Sequence, residues 1–136
     1  MRRTPDTSSD VLDEDTCWDY IAMADIGRLA VPGLDDDIDV FPVNFLVYHR
    51  AIYFRSAPGS KIVDMLVHPG VTFEVDGHGR SRSWSVVVKG AAHRVSTDAE
   101  IEASGISRLH TTAPGDKWNY VRITPTEVTG RLLHRN

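Results

Sequence analysis

Short segments rich in β-branched and aromatic residues recur along the chain, separated by glycine, proline and acidic residues. Segments of this composition are typical of β-strands. The pattern predicts strands at 28–31, 38–48, 51–55, 70–75, 84–95, 118–124 and 127–133. Because these strands follow one another mostly as hairpins with only short helices between them, they favour a closed or nearly closed antiparallel barrel. We therefore predict a mainly β fold, a β-barrel of six to seven strands with peripheral helices.

The segments between the strands predict short helices and turns. Residues 13–26 carry apolar side chains at near-helical spacing; Asp13 is expected to cap this helix and Gly27 to end it. The remaining segments are predicted as helices at 60–66 and 98–104, a solvated acidic turn at 35–37, a polar linker at 76–83, a surface loop at 106–117 and a strand break at Thr124-Pro125.

The length of 136 residues fits one domain, which we place at 11–136. Residues 1–10 are expected to form a disordered tail rather than a secretory signal, because no apolar region follows the two arginines. No stretch approaches the ~20 apolar residues of a membrane span, and we expect a cytoplasmic protein. Some strands, such as 45–48, are apolar on both faces. One face would fill the barrel, and the other needs a cover from helices or a second copy, which favours a homodimer.

Charge and reactive side chains argue against several function classes. The formal net charge of −4 argues against a nucleic-acid binder, so any anion must be bound locally. Cys17 is the only cysteine, which excludes an intrachain disulfide, and it is expected in the core. The acidic run at 35–37 lacks an ordered ligand pattern, and no zinc-ligand motif or nucleophile elbow is present. We expect no metal and no hydrolase; the histidines, none assigned a role, are at 49, 68, 78, 93, 110 and 134.

The segment AIYFRSAPGSKIVDML, residues 51–66, combines the parts of an anion site. Arg55 closes a predicted strand, a Pro-Gly turn follows, and Ser60 can cap the next helix. A guanidinium fork, the Lys61 ammonium, the hydroxyls of Ser56 and Ser60, and free N–H groups at a helix start suit a phosphate. The alternative is that Ser60 only caps the helix while the two cations are solvated. The segment is not a nucleotide-binding P-loop, because Gly-x-x-x-x-Gly-Lys is absent.

The order of several blocks resembles a known family. GRLAV after a helix, then FPVNFLVYHRAIYFRSAPGSKIVDML, PGVTFEVD and SWSVVVKGAAHRV, resemble the pyridoxamine 5'-phosphate oxidase-like family of FMN-binding split β-barrels. The resemblance extends over roughly residues 11–133 and is greatest to the small, nitroimidazole-resistance-like members. It implies a homodimeric FMN-binding split barrel that acts as an oxidoreductase between reduced nicotinamide and an unknown small molecule.

The resemblance also implies cofactor-binding residues. The flavin phosphate would be held by Arg55, Ser56, Ser60 and Lys61. The isoalloxazine ring would lie along Pro42, Val43 and Asn44 and be approached across a dimer interface by Trp84 and Ser85. Without the family, Trp84 would be a core aromatic and Asn44 a satisfied residue at a strand edge. No catalytic residue is assigned.

Two departures from the family leave alternatives open. Close relatives often carry His where Arg55 stands, so the deazaflavin cofactor F420 is an alternative to FMN on the same fold. The longer pyridoxamine phosphate oxidases have further substrate-binding residues towards both termini, so the substrate is not implied. A non-catalytic module that binds or senses a flavin is the competing hypothesis, as is a cyclic-nucleotide receptor that uses Arg80 and Arg82.

Overall fold

The computed structural model describes residues 7–33, 36–57, 62, 69–109 and 119–135. Within them the elements are β1 (Thr7–Leu12), α1 (Glu14–Ala22), β2 (Ile26–Pro32), β3 (Ile38–Tyr48), β4 (Ala51–Ser56), β5 (Gly70–His78), β6 (Arg82–Arg94), α2 (Asp98–Ser104) and β7 (Asn119–Arg135). A 3-10 turn, Ile106–Arg108, follows α2. Among these residues no helix is long and apolar enough to cross a lipid bilayer.

The strand pairings are antiparallel and close into a ring. The order around the ring is β7-β4-β3-β2-β5-β6, and β6 pairs again with β7. β1 is added outside this ring, along the C-terminal half of β7. The predicted mainly β, antiparallel barrel is confirmed, and its geometry is that of a split barrel.

β7 is one continuous strand where two were predicted. Pro125 lies inside β7 opposite Gly90, and the register of the β6–β7 pairing shifts between Lys89 and Gly90. Such a bulge interrupts the ladder locally, which is where a proline can enter a strand. Gly90 fits because an added Cβ would overlap the carbonyl of Thr124. The predicted break at Thr124-Pro125 is therefore wrong, and β7 borders β6 over most of its length.

The interior of the barrel is filled by one face of each strand. Leu29, Ile52, Phe54 and Phe73 belong to this core and are fully buried. Burial of side chains of this size contributes roughly 1.5–3 kcal/mol each. Cys17 of α1 is buried in the same cluster, as predicted, so α1 packs on the barrel core.

The helix α1 begins as predicted but ends earlier. The Asp13 carboxylate accepts a hydrogen bond from the Thr16 amide at 2.8 Å, and this bond lowers the pKa of Asp13. The helix ends at Ala22, not at residue 26. Gly27, predicted to stop the helix, instead lies in β2, where the ring of Phe73 occupies the space that a side chain at Gly27 would need.

The outward face of β4 is covered by α2 and the 3-10 turn. Ile106 is fully buried and packs in a second cluster with Ala51 and Tyr53. The helix predicted at 98–104 is confirmed. The surface loop predicted from residue 106 is wrong at its start, because Ile106 anchors the turn to the barrel.

Two polar segments form strands against expectation. Residues 7–10, predicted as part of a disordered tail, pair with β7 through β1; residues 1–6 lie outside the described residues. The segment 76–83 is a hairpin and not a linker, since β5 continues to His78 and β6 begins at Arg82. In both places backbone ladder bonds stabilise strands whose side chains give little apolar signal.

Candidate functional site

Arg55 occupies the end of the outward face of β4. It is half-buried, and its Nη1 donates to the carbonyl oxygen of Ser107 in the 3-10 turn at 3.2 Å. Opposite it on β7 lies Tyr120. The guanidinium is therefore anchored against the barrel and is not fully solvated.

Of the other three predicted phosphate ligands, one is buried and two lie outside the described residues. Ser56 follows Arg55 on the inward face; its side chain is buried, and its hydroxyl donates to the carbonyl of Ala57 at 3.5 Å. Ser60 and Lys61 lie outside the described residues, as does most of the helix predicted at 60–66. Of that helix only Ile62 is described, and it is buried.

The three predicted ring-contact residues alternate across β3. Val43 points into the barrel and is buried, while Pro42 and Asn44 face outward. Asn44 Nδ2 donates to the carbonyl of Asp25 at 3.3 Å, and the same carbonyl accepts the Phe45 amide at 3.1 Å. A ligand on the outer surface can thus meet Val43 only through its backbone.

Arg55 and Asn44 lie on neighbouring strands and on the same outer side. Each is the next residue beyond the last registered pair of β3 and β4, Phe45 with Phe54, so one strand spacing of about 5 Å separates them. On the far edge of β3, Asn44 pairs with Ile26 of β2. The structure thus brings a cation, an amide and an apolar side chain into one row, here called the outer row.

Trp84 and Ser85 lie elsewhere on the same chain. The Trp84 ring packs on Tyr20 of α1, with 4.9 Å between the ring centroids, and an added Cβ at Gly77 would lie 2.6 Å from its Nε1. Ser85 faces outward on β6, and β2 and β5 separate β6 from β3 in the ring. Within one chain these two residues are not brought together with Arg55 and Asn44.

A charged cluster beside the outer row was missed from the sequence. Arg28, which pairs with Pro42 across β2 and β3, donates to both Glu74 and Asp76 of β5, to Asp76 at 2.6 Å. Burial raises the pKa of Glu74, whereas the hydrogen bond from Arg28 lowers that of Asp76. The spacing of Glu74 and Asp76 indicates that they share one face of a strand. That Arg28 is their partner follows only from the register between β2 and β5.

A second missed cluster fastens α2 beside Arg55. The Glu100 carboxylate accepts hydrogen bonds from the Tyr53 hydroxyl at 2.8 Å and from Arg122 Nη1 at 2.6 Å. Burial raises the pKa of Tyr53, and the bond from Tyr53 lowers that of Glu100. We call these three residues the Glu100 clip. It joins α2 to β4 and β7 and so helps to hold the turn that contacts Arg55.

The described residues include no group of three or more histidine, cysteine, aspartate or glutamate side chains that could hold a metal ion. In the acidic run, Asp36 has a φ of 62° and the Gly33 amide donates to the carbonyl of Asp37 at 2.6 Å. This geometry is that of a turn. Asp35 lies outside the described residues.

The chain is similar to proteins of one family along almost its whole length. The family model described as pyridoxamine 5'-phosphate oxidase matches residues 13–132. A candidate pyridoxamine 5'-phosphate oxidase from Corynebacterium glutamicum aligns with a TM-score of 0.84 and 35% identity, over 100% of this chain and 98% of that one. A FAD-binding protein from Mycobacterium smegmatis aligns with a TM-score of 0.79 and 33% identity, over 91% and 98% of the two chains. A FAD-binding protein from Mesorhizobium loti aligns with a TM-score of 0.82 and 25% identity, over 95% of this chain and 99% of that one.

Proposed function

The chain belongs to the pyridoxamine 5'-phosphate oxidase family, and from this premise we propose that it binds FMN at the outer row and acts as a flavin-dependent oxidoreductase on a small molecule. The observation that carries the proposal is the half-buried Arg55 one strand from Asn44. A guanidinium fork suits a phosphate, and the adjacent apolar Ile26 and Pro42 suit a flat ring. The residues present therefore fit a flavin mononucleotide.

The protein's own contribution is binding and orientation. A bound flavin supplies hydride transfer. Arg55 would hold the phosphate through its N–H groups while Ser107 keeps the guanidinium in position. Asn44, whose Nδ2 is engaged by Asp25, would offer its side-chain oxygen to a ring N–H. Lys61, if it also reaches the phosphate, would add a second charge-assisted hydrogen bond.

A second copy of the chain is part of this proposal. The outward faces of β2 and β3 expose Ile26 (48%) in the outer row and Ile38 (73%) and Val40 (59%) beside it. Apolar side chains grouped in this way favour burial by a partner. A homodimer would cover them, and it would allow Trp84 and Ser85 of the second copy to approach a flavin that they do not adjoin on their own barrel.

FAD is the second candidate cofactor, because two of the similar proteins are described as FAD-binding. F420 is the third, since its phosphorylated tail also needs cations. Titration of the purified protein with FMN, FAD and F420, followed by absorbance and fluorescence, separates the three. If no flavin band persists after reconstitution and desalting, the proposal fails. Bound flavin that is not reduced by NADH or NADPH would favour the non-catalytic binding module over the enzyme.

The first residue-level prediction concerns Arg55→Ala. Hydrogen bonds to charged groups contribute about 1.5–3 kcal/mol, so FMN affinity should fall roughly ten- to a hundredfold. Riboflavin, which lacks the phosphate, should bind both proteins equally. The affinities are measured by fluorescence titration.

Arg50→Ala is the matched control, because Arg50 is an exposed arginine bonded to Asp15 and should leave FMN binding unchanged. Arg55→Ala also removes the bond to Ser107, so we expect a loss of about 1 kcal/mol in unfolding free energy. Unchanged FMN affinity in a folded Arg55→Ala protein would place the phosphate elsewhere.

A further inference from the structure

The tip of the β5–β6 hairpin carries a basic pocket that the proposed flavin site does not use. The pocket has a volume of about 220 Å³ and is lined by Arg80, Arg82, His78, His134 and the serines at 81 and 83. Since a water molecule takes about 30 Å³ in the liquid, a phosphate or diphosphate group fits there. In a protein with a formal net charge of −4, this is a local concentration of positive charge.

Arg80 and Arg82 differ from the other arginines. Every other arginine whose side chain the structure describes donates to a side chain or a carbonyl, from Arg28 with Glu74 to Arg131 with Ser9. Within the described ranges, the guanidinium groups of Arg80 and Arg82 make no hydrogen bond or ion pair. They are like charges on one turn, and an anion between them would stabilise both.

The turn restricts where the two arginines can lie. His78 pairs with Ser83 at the end of the β5–β6 ladder, and the Gly79 amide donates to the carbonyl of Arg82 at 2.7 Å. These contacts close a tight loop of residues 79–82. Arg80 and Arg82 are therefore kept near one another, which lowers the entropy cost of binding one ligand with both.

The two carboxylates near the pocket each have a partner of their own. Asp10 Oδ2 lies 2.9 Å from His134 Nε2, and Asp76 of β5 is bonded to Arg28. Asp10 is thus paired with His134 and not with either arginine. The two arginines remain the positive groups on which an anion would depend.

We propose that this hairpin pocket binds a phosphate-bearing small molecule, with Arg80 and Arg82 as bidentate donors to a diphosphate and the Ser81 hydroxyl as a further donor. In one chain Arg55 lies opposite Tyr120 near the start of β7, whereas the pocket is lined by Leu133 and His134 near the end of that strand, so it is not the flavin phosphate site of that chain. The inference does not depend on flavin binding. Two ligands carry such a diphosphate: FAD held by a second copy of the chain, and a separate phosphorylated molecule.

The test is calorimetric titration of the full chain with inorganic pyrophosphate at constant ionic strength. Wild type should bind saturably, and Arg80→Gln and Arg82→Gln should each weaken binding about tenfold. Arg50→Gln, which changes an exposed arginine bonded to Asp15, should have no effect. The proposal is overturned if wild type shows no saturable binding, or if Arg50→Gln weakens binding as much as the hairpin variants do.

Titration of the double variant Arg80→Gln/Arg82→Gln with FAD and FMN distinguishes the two sources. If the affinity for FAD falls while that for FMN is unchanged, the diphosphate is that of the dinucleotide. If pyrophosphate binding is lost while both flavins bind as in wild type, the site serves a separate ligand. Absence of any flavin binding would overturn the proposed function and leave the pyrophosphate result to decide this one.

Discussion

At the scale of single residues, Glu100 shows how a charged side chain can support the candidate site without belonging to it. Its carboxylate accepts bonds from Tyr53 and Arg122, and the turn that continues from α2 contacts Arg55 through Ser107. The hydrogen bond from Tyr53 is the main cause of the lowered pKa of Glu100. The ionised form is thus favoured in the folded protein more than in the unfolded chain.

The Glu100 clip predicts a pH-dependent contribution to stability. Because the folded pKa lies below the ordinary value of 4.5, the contribution is fully present above pH 4.5 and is lost as the pH falls through the folded pKa. Glu100→Gln should lower the free energy of unfolding by about 1–2 kcal/mol at pH 7, towards the lower end for hydrogen bonds to charged groups because the carboxylate is partly exposed. Urea unfolding of both proteins between pH 7 and pH 3 should show this difference shrinking below pH 4.5.

Glu102→Gln is the control on the same helix, since Glu102 forms an exposed pair with Arg108 at 3.3 Å. Exposed pairs contribute little, so this variant should unfold like wild type at pH 7. A Glu100→Gln effect that stays constant down to pH 3 would contradict the ionic origin of the clip.

At the scale of elements, close approach between neighbouring strands depends on residues without side chains. Gly27 of β2 leaves room for the fully buried ring of Phe73 on β5. The same strand also supplies Ile26 of the outer row and Arg28 beside that row. A displacement of β2 relative to β5 would therefore also move residues of the candidate site.

Gly27→Ala is predicted to destabilise the barrel. The added methyl group would overlap the Phe73 ring, and overpacking of a core costs about 1–3 kcal/mol. Gly70→Ala is the matched control in β5, because an added Cβ at Gly70 meets nothing within 4 Å. Thermal unfolding should show a clear decrease in Tm for the first variant and little change for the second.

The double variant Gly27→Ala/Phe73→Leu tests the cause. A smaller side chain at 73 should recover part of the loss, so the two substitutions should be non-additive. Strict additivity would show that the cost at Gly27 arises elsewhere.

At the scale of the whole molecule, the exposed apolar side chains of β2 and β3 predict a homodimer. Val40→Glu introduces a charge at the centre of this face, because Val40 pairs with Ala30 of β2 and is flanked on β3 by Ile38 and Pro42. We expect the mass measured by light scattering to change from dimer to monomer and FMN affinity to fall with it. Burying an unpaired carboxylate in such an interface is strongly unfavourable.

Val11→Glu is the matched control, since Val11 of β1 is also exposed, at 75% against 59% for Val40, but lies on a different strand. It should leave the mass unchanged. A monomeric wild type would contradict the dimer directly, and dissociation by Val11→Glu alone would place the interface on β1 instead of on β2 and β3.

Local signals in the sequence determined the barrel class, the position of most strands, the Asp13 cap and the buried Cys17. These features depend on the order and periodicity of neighbouring residues. The ordered blocks also indicated the family. The predicted ends of elements were wrong where a contact with a distant strand decided the structure. These contacts are the bulge at Gly90 opposite β7, the Phe73 ring against Gly27, and the pairing of the polar β1 with β7.

For the candidate site, the sequence by itself identified Arg55 as a cation at a strand end, and the family resemblance implied Asn44, but neither could relate the two side chains in space. Only the tertiary structure decided that they share an outer row, that Val43 faces inward and that Trp84 packs on Tyr20. These contacts depend on the register between strands that are far apart in the chain. A shift of one residue would turn each side chain to the opposite face. The pattern of apolar residues restricts the possible registers but does not specify which residues of distant strands pair. For this reason the Arg28 cluster and the Glu100 clip could be identified only in the folded chain.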